Sequence, residues 1–422
     1  MSAVPSAPCN DCGHGQPRLP VEEARRRILA DVAPVRGSER LALRSALGRV
    51  LANDVISPVD VPGHTNSAVD GYALAGATLP AQGEKDLRII GTAWAGRAFP
   101  HAVPAGSCVR IMTGAPMPAG TDTVVMQEHV ERRDEAIRIG AGHRTGQNVR
   151  AAGEDLARGA VALKAGKRLT PAELGRLAAI GMAEVAVHRR VRVAFFSTGD
   201  ELRSIGESLE DGAIYDSNRY TLYGMLAALG VEILDLGVVR DAREAVRDAF
   251  REAAAVADAI VTSGGVSVGE ADYVKETLAA LGRVSFWQIA MKPGRPLAFG
   301  RVGPCSFFGL PGNPVAVMVT FYQFVQPALR RMMGEDPVGA PPTFEARSLT
   351  RFRKQPGRTE FQRAIAEHDA NGELVVRATG EQGSGILHSM SQANCFVVLP
   401  QDGGDVEPGM RVAVQPFFGL MP

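Results

Sequence analysis

The sequence predicts a multidomain protein: a mostly parallel α/β sheet domain joined to a β insert domain, an N-terminal helical and extended segment and a C-terminal β domain. Three observations predict it. The chain has 422 residues, too many for one hydrophobic core, so roughly two to four domains are expected. Between 190 and 334, buried-type strands alternate with amphipathic helices, the βαβ pattern of a sheet covered on both faces. On either side the chain breaks into short β-type runs punctuated by Gly and Pro.

Residues 1–18 read as a flexible tail. From 19 to 32 the apolar residues Val21, Ala24, Ile28 and Leu29 share one helical face, away from most of the charges. Residues 19–52 and 146–188 are expected to form one linking domain. Its second half carries a helix over 170–180, with Thr170 as N-cap and Pro171 at the first helical position. Between these halves, 53–145 reads as the β insert. The sheet domain spans 189–334, with strands VRVAFFS, VEILDLGVV and DAIVTSGG and helices over 218–229, 242–255 and 272–281. A long helix starts near Pro314 and ends at the Gly- and Pro-rich stretch 333–342, and the C-terminal β domain occupies 340–422.

Composition narrows the function. With 46 Lys and Arg against 46 Asp and Glu the formal charge is zero, so no global field recruits nucleic acid or an anionic membrane. Any anion site must be built locally. Five scattered cysteines and a start without an apolar run behind a basic segment lead us to expect a reduced, cytoplasmic protein. No apolar run approaches the roughly 20 residues of a membrane span.

The chemistry concentrates where strands meet loops. VRVAFFS runs into Thr198 and Gly199, and DAIVTSGG runs through Ser263, Gly264 and Gly265 into Ser267 and Gly269. Such loops aim backbone N–H groups and a helix dipole at one point, which favours phosphate. The same glycines also permit sharp βα turns. A third loop, Pro311, Gly312, Asn313 and Pro314, leaves another strand at the same sheet edge, where ligands of parallel sheets bind. Glu201, Asp241 and Asp272 also gather at strand ends, where Mg²⁺ held by carboxylates and ligand phosphates would relieve their repulsion. Asp241 and Asp272 are alternatively helix N-caps. Lys292 and Arg295 flank a rigid KPGRP turn, which is either an oxyanion contact or a solvated hairpin.

Taken together, SAVDGYA (67–73), RIMTGA (110–115), GQNVRAAGED (146–155), STGDEL (197–202), SGGVSVGEADY (263–273), KPGRPLAFG (292–300), GLPGNPVAV (309–317), GRTEFQR (357–363) and NCFVVLP (394–400) resemble the MoeA family, in order and over nearly the whole chain. The C-terminal half of gephyrin-like proteins shares the pattern. The resemblance implies a molybdopterin-binding fold for the sheet domain and an elongated homodimer whose active site is shared between subunits. It implies a transferase of molybdenum cofactor biosynthesis whose substrates are adenylylated molybdopterin and molybdate, with Mg²⁺ as cofactor and AMP as product. Contacts with the molybdopterin adenylyltransferase and with apo-molybdoenzymes follow from it too.

Onto this sequence the resemblance carries Asp70 and Thr113 from the insert, and Glu201, Asp241, Asp272, Lys292, Pro311 and Pro314 from the sheet region. It adds Arg363 and Ser384 beside molybdate, and Arg150 in the connecting segment. The chain departs from the family pattern at Gln288, at Ala151 and Ala152 after Arg150, and at Gly385, positions where basic residues are common in the family. Two rival readings are adenylylation of molybdopterin, which needs only the sheet domain, and a non-catalytic pterin-binding scaffold. Cys9, Cys12 and His14 in the tail are either free or a metal-binding trio.

Overall fold

The computed structural model describes residues 18–264 and 273–417. They divide into two compact units, Arg40–Val187 and a second joining the residues up to Glu39 with those from His188 onward. Cys9, Cys12, His14, Gly265, Ser267, Gly269 and Asp272 lie outside the described residues. Among the described residues no helix is long and apolar enough to cross a membrane.

The Arg40–Val187 unit holds the expected β insert as a six-stranded sheet, in the order Thr123–Met126, Gly71–Leu74, Ser107–Ile111, Glu84–Ala93, Ala136–Gly140 and Val130–Arg133. Strand alternation sends Tyr72, Leu74, Val125 and Ile137 into one core and Ala73, Val109, Ile111 and Val124 into another. Gly71 is required by close packing, because a Cβ there would lie 2.1 Å from the Val125 carbonyl oxygen. The linking segments pack around Leu51, Leu169, Leu177 and Val187. Their helix, α2 (Pro171–Ala179), opens with the expected Thr170 cap, completed by Glu173 into a capping box.

The second unit begins with α1 (Val21–Asp31), which buries Val21, Ala24 and Ile28. This helix falls in the same compact unit as the sheet region, while residues 40–52 fall with 146–187. The reason is a specific lock: Arg25 donates from Nη2 to Gln323 Oε1 (2.6 Å) and from Nε to the Gln323 carbonyl (3.2 Å). Gln323 lies in a π-helical turn, Phe321–Val325.

The sheet domain contains β1 (Arg192–Thr198), α3 (Ser217–Leu229), β2 (Glu232–Val239), α4 (Arg243–Val256), β3 (Ala259–Ser263), α5 (Tyr273–Leu281), β4 (Gly282–Gln288), β5 (Met291–Lys292), β6 (Pro296–Val302), β7 (Cys305–Leu310), α6 (Pro314–Thr320) and α7 (Gln326–Met332). Sheet order is β2-β1-β3-β7-β6-β4. The first four strands are parallel, and β6 and β4 add an antiparallel edge. Ala194, Phe196, Ile260 and Phe307 face Val246, Phe250, Val274 and Leu278 of α4 and α5. The Phe250 ring packs edge-on to Phe196 and Phe307, with centroids 5.2 and 5.5 Å away. Truncating such a ring costs about 3–5 kcal/mol.

The C-terminal domain is a barrel of β8 (Phe344–Ser348), β9 (Thr359–His368), β10 (Leu374–Ala378), β11 (Cys395–Leu399) and β12 (Arg411–Pro416). Its order β9-β10-β8-β12-β11 closes through a β9–β11 pairing, leaving no open edge within the ring. Strand β5, which the sequence reads as part of a hairpin in the sheet domain, pairs instead with β9 of the barrel.

Candidate functional site

Three strand ends of the parallel sheet meet at one edge. Gly264, just past β3, has φ +87°, and a Cβ there would lie 2.5 Å from the Thr198 carbonyl oxygen at the end of β1. Only glycine lets these two loops approach so closely. The Gly264 N–H donates to the Leu310 carbonyl at the end of β7 (3.2 Å). Thr198 and Ser263 are almost fully buried at this edge, and the Thr198 hydroxyl has no hydrogen-bond partner among the described residues.

Asn218, in the first turn of α3, ties the edge together: its side-chain amide donates to Ser263 Oγ (2.8 Å) and to the Gly312 carbonyl (2.6 Å). Sequence reading missed it, treating it only as the start of a helix. The available signal was Asp-Ser-Asn just before an amphipathic run, with more polar groups than one N-cap needs. Asp216 takes the cap, accepting from the Arg219 N–H, which frees Asn218 for the loop.

The Pro-Gly-Asn-Pro turn is organised by the same logic. Pro314 occupies the first turn of α6, where its missing N–H costs nothing. Asn313 stands at the N-cap position but makes no side-chain cap. Its amide donates instead to Ser384 Oγ (3.0 Å), and the Val315 N–H donates to the Ser384 carbonyl (3.1 Å). The turn thus carries the barrel segment that contains Ser384. Pro311 is buried and Gly312 exposed.

The carboxylates are arranged differently from expectation. Asp241 follows β2, and its N–H donates to Asp200 Oδ1 (3.2 Å). Asp200, not singled out by sequence, is therefore the immediate neighbour of Asp241. The N-cap of α4 is Ala242, so Asp241 is not the cap of that helix. Glu201 folds its carboxylate over Gly199, where any added Cβ would collide with it. Among the described residues no group of three or more His, Cys, Asp or Glu is assembled to hold a metal.

Lys292 ends β5 opposite Glu360 of β9, with Nζ 3.5 Å from Glu360 Oε2. Arg363, expected beside molybdate, is only 1% exposed. It donates from Nε to Ser389 Oγ (3.0 Å) and from Nη2 to the Gly383 and Glu381 carbonyls (2.9 and 3.3 Å). Burial pushes its pKa down to about 10.

In the other unit, Asp70 precedes the Gly71–Leu74 strand and Thr113 follows the Ser107–Ile111 strand. Both the hydroxyl and the N–H of Thr113 donate to Asp70 Oδ1 at 2.7 Å. Arg150 lies on an adjoining ladder, opposite Asn66. The Thr113 hydroxyl first, and its N–H second, hold the exposed Asp70 carboxyl below the ordinary aspartate range. A depressed folded pKa means that this pair's contribution is present above the unfolded value near ~3.9 and is lost as pH falls through the folded value. Thr113→Val removes the hydroxyl donor, so the Asp70 pKa should rise toward that ordinary value. An NMR titration of the Asp70 carboxyl checks this, and an unmoved midpoint would show that the backbone N–H alone sets it.

Fold and site define a multidomain α/β protein whose loop-bearing sheet edge is tied to a segment of the C-terminal barrel. The chain matches the MoeA N-terminal region (domain I and II) over residues 19–181, a probable molybdopterin binding domain over 194–331 and the MoeA C-terminal region (domain IV) over 345–417. It belongs to the MoeA family. It is 42% identical over 404 residues to a molybdopterin molybdenumtransferase of Haemophilus influenzae, covering 96% of this chain and all of that one. A gephyrin of Dictyostelium discoideum is 33% identical, over 93% of this chain and 61% of its own length. A molybdopterin biosynthesis moeA protein from Pyrococcus horikoshii has the same fold, with a TM-score of 0.81 at 30% identity over 94% of this chain and all of that one.

Proposed function

We infer that this chain inserts molybdenum into molybdopterin, taking the adenylylated pterin and molybdate and releasing the finished cofactor with AMP. Two Mo–S bonds form to the dithiolene sulfurs as two Mo–O bonds break, the released oxygens taking up protons to leave as water. A water oxygen attacks the adenylyl phosphorus as the pyrophosphate P–O bond breaks to give AMP and the pterin phosphate, so the protein needs no nucleophile of its own. Its part is positioning and electrostatics.

The observation that carries this reading is the polar chain Ser263–Asn218–Gly312 followed by Asn313–Ser384. It links the phosphate-type loop of the sheet to the barrel segment, as expected where one ligand is gripped at its phosphate and receives an oxyanion beside it. The Lys292 ammonium, about half exposed, supplies positive charge near that segment's domain. A sheet domain acting alone, as for adenylylation, would not need the barrel.

The Asp200 carboxylate, which accepts from the Asp241 N–H, and the Asp241 carboxylate would be the hard oxygen donors for Mg²⁺, which takes one or two carboxylates and completes its shell with phosphate and water. Bound there it would neutralise phosphate charge. Asp272 is the further ligand expected from sequence. We also read the protein as a homodimer in which Asp70 of the partner subunit, preset by Thr113, completes each site.

Supplying adenylylated molybdopterin, Mg²⁺ and molybdate should release AMP in a molybdate-dependent manner. AMP release that ignores molybdate, or none at all, would refute the transferase reading.

A further inference from the structure

Strand β5 has only two residues, yet it leaves the sheet domain to pair in parallel with β9, Met291 opposite Thr359 and Lys292 opposite Glu360. That register makes the two side chains neighbours, Nζ to Oε2 3.5 Å. Their burial is unequal: the Lys292 side chain is 49% exposed and that of Glu360 only 3%. A carboxylate this deep is costly unless paired. A barrel wall would be served as well by an apolar residue there.

The groups around Glu360 define what it can do. Gln362 Nε2 donates to Glu360 Oε2 (2.9 Å) and to the Arg353 carbonyl (2.9 Å), which fixes the carboxylate from the barrel side. Lys354 is buried, and its ammonium donates to the Gln355, Gln401 and Gly403 carbonyls at 2.8, 3.3 and 3.3 Å. It thereby ties its own loop to the loop after β11, and its charge also acts on Glu360. Past Lys292, Gly294 has φ +97°, and a Cβ there would lie 2.5 Å from Thr320 Oγ1, so the turn that follows is also held.

We propose that Glu360 is a positioning residue: the buried, strand-anchored carboxylate holds the Lys292 ammonium toward the barrel so that its remaining N–H donors meet the incoming oxyanion. An ammonium carries three donors. An ion pair with a fixed carboxylate limits the sweep of a four-carbon side chain, so less freedom is lost when the anion binds. The proposal rests on Lys292 being an oxyanion contact.

The test is a mutant cycle in the full-length protein using Glu360→Gln, Glu360→Asp, Lys292→Met and the double variant Lys292→Met/Glu360→Gln. Molybdate-dependent AMP release is measured alongside thermal melting and tungstate binding by calorimetry. Glu360→Gln should lower kcat/KM for molybdate about tenfold or more, as expected for coupled neighbours, and weaken tungstate binding in step. The KM for the pterin and the melting temperature should stay near wild type, and Glu360→Asp should recover part of the loss. In the Lys292→Met background Glu360→Gln should do nothing more. Independent, multiplicative effects of the two substitutions would overturn the proposal, as would a Glu360→Gln loss that tracks melting. An active Glu360→Gln beside an inactive Lys292→Met refutes the positioning role alone. A fully active Lys292→Met removes Lys292 from the site and the proposal with it.

Discussion

Arg363→Ala is expected to destabilise the protein by about 3 kcal/mol and to abolish turnover, because the side chain supports the segment that carries Ser384. Its guanidinium is buried and spans Ser389 Oγ and the Gly383 and Glu381 carbonyls. The Arg363 backbone adds an N–H donated to Gln382 Oε1 at 2.8 Å. With a pKa of about 10 the group is still charged at neutral pH, so truncation strands several buried acceptors at once. Arg363→Lys should rescue little, since a point ammonium cannot reproduce the planar fork. Urea unfolding and molybdate titration of the same variants check this. Wild-type stability combined with a raised molybdate requirement would instead support the direct molybdate contact expected from the sequence.

Mixing Asp70→Ala with Asp241→Ala protein is expected to restore about a quarter of wild-type activity although each parent is inactive. If each site takes Asp70 from one chain and Asp241 from the other, a mixed dimer has one site with both defects and one intact. Random exchange makes half the dimers mixed, and half of their sites work. Exchange is confirmed by copurifying differently tagged copies. With exchange complete, a mixture that stays inactive would show that Asp70 acts within its own chain or only braces the insert through Thr113.

Much of the architecture was legible because period and punctuation are local signals. The sheet strands and the helices over 217–229 and 243–256 match their sequence patterns within a residue or two, and Thr170 with Pro171 announced its helix start. Short-range chemistry of this kind needs no knowledge of distant residues. The N-terminal helix was legible as a helix but not in its partner, since the Arg25–Gln323 lock joins residues far apart in the chain.

The sequence by itself determined the domain order, the parallel sheet with its loops at one edge, and the chemical types gathered there: glycine turns, acids, a lysine and a stiff proline turn. Only the tertiary structure decided what those residues do to one another. It closed the barrel and brought β5 onto it, set Asp200 beside the Asp241 N–H, and buried the Arg363 guanidinium among Ser389 and two backbone carbonyls. It also joined the Asn218 and Asn313 amides into a relay that reaches Ser384. The physical reason is that a side chain's polar atoms satisfy whichever partner burial leaves nearest. For groups contributed by separate strands and domains, that partner is fixed by register and packing rather than by spacing along the chain.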